Sequence, residues 1–492
     1  MSQLISNMWL SFLLILTFLY ILYKYMTRHF SYWKDRNVFH LKPIPFVGNM
    51  WPVLSFRRCM GEFLKDLYDS TDQDYIGCFL LDKPALILRS PKLIKNIILH
   101  DFNYFSDRIA TAESDVIMSN SVFFKKGPMW KTLRERLSPV FSSGKLKSMS
   151  KLIITEADSM ANYIDKFVNI PNIDSKEICA KYSTNVIAVS AFGIKAHCFD
   201  SETAEFRNIS RNMFKFSLSN TVRQAGCFLF PNVIDIFKIR LFENWILERL
   251  QQIFTEVMSI RVDMEKRNDM IDILLQQKRE KNMSDYALLA QAIQFFLAGF
   301  ETISTTMSFF LYEMAIHPEI QERLRKEILK SISENGGISY EAVQDMKYLN
   351  MCLSETLRKY PVMSILDRTC TMDYKVPGSD YVIKKGQIIF VPLLGLHYDS
   401  KYFPDPEKFD PERFQNMSNF NNDGFSYIPF GAGPKNCIGA RFGLLSLKIG
   451  LSTIMSKYEL CPSSHTPSKM QFEPKHVFLQ SAKGTALEFR PL

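Results

Sequence analysis

What the 492-residue chain has little of narrows its class before any motif is read. Its nine cysteines are an odd number, scattered without a CxxC pair or zinc-ligand spacing. A disulfide framework and a structural zinc site are therefore excluded, and the body is expected in a reducing compartment. Charge of one sign is scarce: 60 Lys and Arg against 51 Asp and Glu leave +9, spread along the chain, so no nucleic-acid partner is expected. There is no low-complexity tract and no repeat of solenoid period. Beyond residue 50 no stretch is rich enough in Gly, Ser or Pro to separate domains, although a prior of roughly 150 residues per domain would allow about three. With 47% hydrophobic residues and 40 Phe the chain can bury a large core, which excludes intrinsic disorder.

Charge is also missing from residue 1 to Tyr23. As a helix this segment reaches roughly 34 Å at about 1.5 Å per residue, enough to cross a hydrocarbon layer of about 30 Å. No base precedes the apolar run and no small-residue cleavage site follows it, which argues against a cleaved signal peptide. Lys24, Arg28, Lys34 and Arg36 follow, so the positive-inside rule puts the remaining chain on the cytosolic side. The reading is a single-pass anchor over residues 1–23, a basic and Pro-containing linker over 24–49, and one folded domain over 50–492. Three glycosylation-like triplets, beginning at Asn208, Asn282 and Asn416, are then chance matches, since a cytosolic body never meets that machinery.

Within the body, Lys42-Pro43-Ile44-Pro45-Phe46-Val47-Gly48-Asn49 reads as a stiff elbow. Apolar periodicity predicts helices over residues 243–263, 285–316, 318–332, 341–359 and 440–457, and short strands over 85–88, 381–383 and 387–391. Residues 361–414 turn to Pro-, Gly- and Asp-rich loops between strands. The fold class is mainly α with a small β subdomain.

The segment from Pro429 to Gly439 is the most informative. Its glycines admit backbone conformations that a Cβ disfavours and allow close approach of a flat cofactor. Cys437 precedes a periodic apolar helix, where free N–H groups and the helix dipole favour a thiolate. The spacing Phe430-x-x-Gly433-x-x-x-Cys437-x-Gly439 is similar to the haem-binding signature of the cytochrome P-450 family, whose proximal ligand is a Cys thiolate.

Three further matches in chain order extend the resemblance from the anchor to the C-terminus. Ala298-Gly299-Phe300-Glu301-Thr302 resembles the segment above the distal haem face, with Glu301 and Thr302 as the acid–alcohol pair that relays protons. The bland alternative is a Thr bonded back into its own helix and a Glu on a wet face. Glu355-x-x-Arg358 and the Arg413 of Pro411-Glu412-Arg413-Phe414 resemble the family's Glu–Arg–Arg lock, a structural set. Trp130-x-x-x-Arg134 with Arg368 resembles the donors to the haem propionates. Lys435 departs from the commoner Arg or His at its position and offers a point charge instead of a fork.

What the resemblance implies is haem b as cofactor, the cytochrome P-450 fold, and monooxygenation. No strand–GxGxxG–helix fingerprint or flavin module is present, so electrons would come from NADPH through a reductase, with cytochrome b5 as a possible second donor. The expected location is the endoplasmic reticulum membrane, with Lys131, Arg136 and Lys435 near the reductase-facing side, ordinary solvated charge being an equal reading of Lys131 and Arg136, and with Phe228-Leu229-Phe230-Pro231 either dipping into lipid or packed in the core. Recognition segments 108–124, 213–218, 295–298, 362–366 and 477–479, with Phe214, Phe216, Phe295, Phe296 and Phe478, imply a lipophilic substrate. The resemblance is nearest to insect microsomal members that oxidise xenobiotics, plant toxins, insecticides or hormones. The alternatives are a haem-thiolate isomerase or dehydratase, and a non-catalytic haem-containing binding protein of the membrane.

Overall fold

The computed structural model describes residues 2–262, 269–281, 283–416 and 425–492. Met1, Asp263, Asn282, Met417 and Ser418, on which parts of the expected anchor, one helix end and two triplets fall, lie outside the described residues.

The first helix, Ser2–Thr27, is apolar on every face and bare: Leu4, Trp9, Phe12 and Phe18 are all more than half exposed. A helix that is hydrophobic all round is stable only when something covers it, and among the described residues the only ring from outside it seen packing on it is that of Phe46, against Tyr23. Over Leu4–Thr27 it is long and apolar enough to cross a membrane. The same is true of Asp285–Ile316, but that helix is largely buried and forms the centre of the body. Ser284 caps it by accepting the Ala287 N–H, and Pro318 opens the next helix, Pro318–Asn335, where no N–H partner is needed.

The central helix packs along Ser175–Phe192, and a second pair, Ser143–Ile164 with Ala440–Lys457, packs against it. These helices share one apolar core that also takes in Trp130 and Phe442. The expected helix over 341–359 is two helices, Tyr340–Asp345 and Lys347–Lys359, broken at Met346. The break is fixed from outside: the Glu327 carboxylate accepts the Tyr348 and Leu349 N–H groups at 2.8 and 2.9 Å, supplying the second helix with its cap. The helix expected over 243–263 spans Asn244–Arg261.

A four-stranded sheet completes the body. Tyr75–Leu80 pairs antiparallel with Lys83–Leu88, which runs parallel to Ile388–Pro392, itself antiparallel to Ile365–Thr369. The expected strand over 381–383 is Val382–Ile383, paired with Tyr374–Lys375. Residues 33–49 are bound to the sheet. The Trp33 indole is buried and donates to the Cys78 carbonyl at 2.9 Å, Gly77 N–H donates to Phe39, and the Asn49 side chain accepts the Phe79 N–H. Folded structure thus begins well before residue 50, and little free chain separates it from the anchor.

Of the two readings of residues 228–231, the structure shows core packing. Leu229 and Phe230 are partly buried against the core beside the sheet, and Phe228 packs on Phe123. The bare apolar side chains nearby are Ile236 and Phe237, 73% and 71% exposed, with Trp51, Leu54 and Phe56 exposed on another segment.

Candidate functional site

The loop before Ala440–Lys457 is wound back on itself: Cys437 N–H donates to the Phe430 carbonyl at 2.8 Å and Asn436 N–H to the Gly433 carbonyl at 3.1 Å. Gly433 has φ of +67°, and a Cβ there would come within 2.0 Å of the Ile98 carbonyl oxygen, so only glycine fits. Cys437 stands just before the first turn of the helix, and the Gly439 N–H is aimed at its sulfur. All nine cysteines are unpaired and seven are buried, whereas Cys437 is exposed. Its exposure is that of a cavity wall, with protein on the remaining sides. Burial among those groups pushes the thiol up, against the pull of the Gly439 N–H, Arg134 and Arg108.

The sulfur opens on an apolar slot with about 710 Å³ of space free of protein atoms. On its near side lie Phe430, Cys437, Gly439 and Phe442; across it stand Phe295, Ala298, Gly299 and Thr302 of the central helix. The slot thus joins two motifs, residues 298–302 and 430–439, that lie far apart in the chain. A Cβ at Gly299 would meet Ile187 at 2.7 Å, so this glycine also lets the helix Ser175–Phe192 close in. The Thr302 hydroxyl donates to the Ala298 carbonyl at 2.7 Å and its oxygen borders the slot.

Glu301 faces elsewhere. Adjacent residues lie about 100° apart around a helix, and its buried carboxylate turns from the slot to accept Lys176 Nζ at 2.9 Å, Gln480 Nε2 at 2.7 Å and Thr305 Oγ1 at 3.1 Å. Burial alone would raise this carboxyl, but the Lys176 charge and hydrogen bond outweigh it and hold Glu301 below the usual carboxylate range. The expected acid and alcohol are therefore neighbours in sequence with only the alcohol at the slot.

Beside the slot, four cations gather. The backbone bridge between Asp107 and Thr369 and the bond from Ile109 N–H to the Asp367 carboxylate bring Arg108 next to Arg368. Lys435 stacks its ammonium 4.3 Å from the Trp130 ring centre, and Arg134 donates to Asn436 at 2.7 Å. Arg368 and Lys435 are 3% and 4% exposed, and Arg368 Nε and Lys435 Nζ have no hydrogen-bond partner. Burial, together with the crowding cations, pushes Arg368 down to about 10 and Lys435 to about 7. Buried cations with unpaired nitrogens require anions. A flat cofactor carrying two carboxylates at one edge and needing one sulfur ligand fits this arrangement, and haem is such a group. Among the described residues no cluster of three His, Cys, Asp or Glu side chains could hold a bare metal ion instead.

On the helix ending at Lys359, Arg358 grips Glu355 through Nε at 2.7 Å and Nη2 at 2.9 Å, with both side chains wholly buried. Arg358 also donates to the His397 and Pro406 carbonyls, each at 2.8 Å. Arg413 Nε lies 3.5 Å from Glu355 while its other nitrogens bind the Pro404 and Asp405 carbonyls, so the three expected residues converge.

Several expectations are corrected. Lys435 is buried and is not part of an outer basic face, whereas Lys131 is exposed. Of the five phenylalanines, Phe295 lines the slot, and Phe214 and Phe478 pair at 5.4 Å. Phe296 is fully buried between Phe206 and Phe300, and Phe216 lies outside against Phe56. The sequence reading placed Arg108 in a substrate-recognition segment and not among the cations, and it missed Lys176, Gln480 and Asp367 as parts of the site. Their signals are bonds between distant segments, which no local spacing carries.

The family model described as Cytochrome P450 matches residues 40–489. The chain is 36% identical to cytochrome P450 6k1 of Blattella germanica and 36% identical to cytochrome P450 6j1 of the same organism. Each match covers 95% of this chain and 94% of the relative. It is 34% identical to probable cytochrome P450 6g2 of Drosophila melanogaster, over 94% of this chain and 95% of the relative.

Proposed function

The chain belongs to the cytochrome P450 family, which makes its chemistry haem-thiolate monooxygenation, and from that premise we propose that it oxidises lipophilic small molecules at the endoplasmic reticulum membrane with electrons from NADPH. The observation that carries this reading is the apolar slot with Cys437 on one side, Thr302 on the other, and partner-seeking buried cations at its edge.

Haem bound in the slot supplies oxygen activation. In our reading the Cys437 thiolate would hold its iron, and Trp130, Arg134, Arg368 and Lys435, with Arg108 added, would hold its carboxylates by charge and N–H donation. Phe430, Gly433 and Gly439 shape the loop so that the sulfur points inward. Thr302, whose hydroxyl proton is engaged by the Ala298 carbonyl, offers a lone pair that can accept a hydrogen bond at the slot wall, and it donates its own proton there only on rotating away from that carbonyl. Glu301, the expected acid of the pair, is held away from the slot by Lys176 and Gln480, and its part in proton delivery requires release from Lys176. Glu355, Arg358 and Arg413 are structural, holding the helix end against the segment that precedes the thiolate loop. Phe295 and the rest of the apolar wall exclude water and favour apolar substrates. Xenobiotics, plant toxins, insecticides and lipophilic hormones are the classes that suit it.

Electrons reach the site from a separate NADPH–cytochrome P450 reductase, with cytochrome b5 as a second donor. Support comes from the absence of a dinucleotide fingerprint and from exposed Lys131 and partly exposed Arg136 on the helix Gly127–Leu137 that also bears Trp130 and Arg134. The bare apolar helix and the basic residues after it favour an anchor with the body facing the cytosol.

The test is reconstitution of the full chain with NADPH–cytochrome P450 reductase in phospholipid vesicles. Substrate-dependent consumption of NADPH and oxygen with a hydroxylated or epoxidised product is the expected result. Haem-loaded protein that accepts no electrons from the reductase would refute the electron route. Electron acceptance without oxygenated product from any lipophilic compound tested would refute the substrate class.

A further inference from the structure

The thiolate loop is tied to the Glu355–Arg358 pair through a histidine that belongs to none of the motifs above. His397 ends the five-residue helix Leu393–His397, is wholly buried, and lies between the rings of Phe403 and Tyr427, 6.2 and 5.5 Å away. Burial and the neighbouring Arg358 charge push its imidazole down to about 3, so the ring is neutral and one nitrogen is an acceptor. The Ile428 N–H points at Nε2 from 3.3 Å, which makes Nε2 that acceptor. Nδ1 then carries the proton and faces the Arg358 carbonyl, also at 3.3 Å.

The link is reciprocal on one side and continues on the other. His397's own carbonyl accepts Arg358 Nη1 at 2.8 Å. Past Ile428, its carbonyl accepts the Gly431 N–H at 2.9 Å, and the Phe430 carbonyl accepts the Cys437 N–H at 2.8 Å. One imidazole therefore joins the end of the helix that carries Glu355 and Arg358 to the backbone from which the cysteine loop departs. Ile428 is itself buried, so its N–H has no water to turn to when the acceptor is removed.

We propose that His397 is a positioning residue for Cys437, acting through the Ile428–Phe430 backbone to keep the sulfur directed into the slot. The proposal rests on the reading of Cys437 as the axial ligand. It assigns His397 the role of a fixed acceptor, and packing of the ring between Phe403 and Tyr427 is the competing explanation.

The experiment uses the full-length holoprotein and substitutions that separate the two. His397→Phe keeps an aromatic ring and removes the acceptor. His397→Gln lacks the ring but carries an amide oxygen long enough to reach Ile428, and His397→Asn reaches only toward Arg358. Two readouts are taken: hydrogen exchange of peptides covering residues 427–437, and the share of the reduced carbon monoxide complex with the strongly red-shifted Soret band of thiolate ligation. Exchange is expected to rise about tenfold in the Phe and Asn variants, as for one lost hydrogen bond, with part of the band moving to the less shifted form. The Gln variant restores both. A Phe variant matching the wild type, or a Gln variant no better than Asn, would overturn the proposal, and the Gln and Asn comparison decides if the Phe variant does not fold. A wild type without the thiolate band refutes the Cys437 reading instead, and the exchange comparison still tells whether His397 holds the loop.

Discussion

Removing Glu355 alone leaves Arg358 buried and charged with two of its best bonds gone. The carboxylate it loses is bidentate, at 2.7 and 2.9 Å, and both side chains are 0% exposed. The Asp410 N–H, 2.9 Å from the same carboxylate, loses its acceptor as well. Breaking one partner of such a pair costs about 3–5 kcal/mol, a large part of a total stability of about 5–15 kcal/mol. At ~1.4 kcal/mol per factor of ten, the unfolding equilibrium shifts by roughly two to four powers of ten. Glu355→Leu and Arg358→Leu should each fall in this range by chemical unfolding followed through tryptophan fluorescence. The double substitution is expected to cost no more than Glu355→Leu alone, because Arg413 loses its carboxylate in both while the double one also removes the uncompensated charge of Arg358. A coupling of at least ~3 kcal/mol follows. A single variant within ~1 kcal/mol of the wild type, or a double variant equal to the sum of the singles, would refute the reasoning.

Three further outcomes are expected. Thr302→Ala should load haem normally yet release more electrons as hydrogen peroxide and water per product formed, measured with reductase and a turned-over substrate; unchanged coupling would remove Thr302 from proton handling. Arg108→Leu should speed haem transfer to apomyoglobin, since one half-buried partner of the carboxylates is gone, and an unaltered rate would take Arg108 out of the cofactor site. Lys176→Met acts on acid stability. In the wild type Glu301 lies below its ordinary range, so its link to Lys176 contributes stability above the unfolded value of about 4.3 and is lost as pH falls through the depressed folded value. The variant should be less stable at neutral pH and lose less on acidification, and parallel stability profiles from pH 7 to 3 would contradict this.

Much of the site was legible because its motifs are local. An i,i+3 spacing puts Glu355 and Arg358 on one helix face, and the glycines around Cys437 are required by turns only a few residues long. The core helix over 285–316 was equally plain from its periodicity, because its apolar residues leave no doubt about a buried helix. Errors arose where orientation or distant chain decides. Phe295 and Phe296, like Glu301 and Thr302, are adjacent, and a rotation of about 100° per residue sends one of each pair away from the slot. Periodicity ran through Met346 because the cap that breaks the helix comes from Glu327 on another one. Lys176, Gln480 and His397 join the site through long-range hydrogen bonds, and strand pairing gives Arg108 its place among the cations; a single sequence holds no mark of either.

The central claim is that Cys437 presents a thiolate to haem in the slot. Its most direct test is the reduced, carbon monoxide-bound difference spectrum of the membrane-bound wild type beside Cys437→Ala. A strongly red-shifted Soret band in the wild type that vanishes in the variant is the predicted result. The same band persisting in Cys437→Ala, or folded wild-type protein that binds no haem, would contradict it.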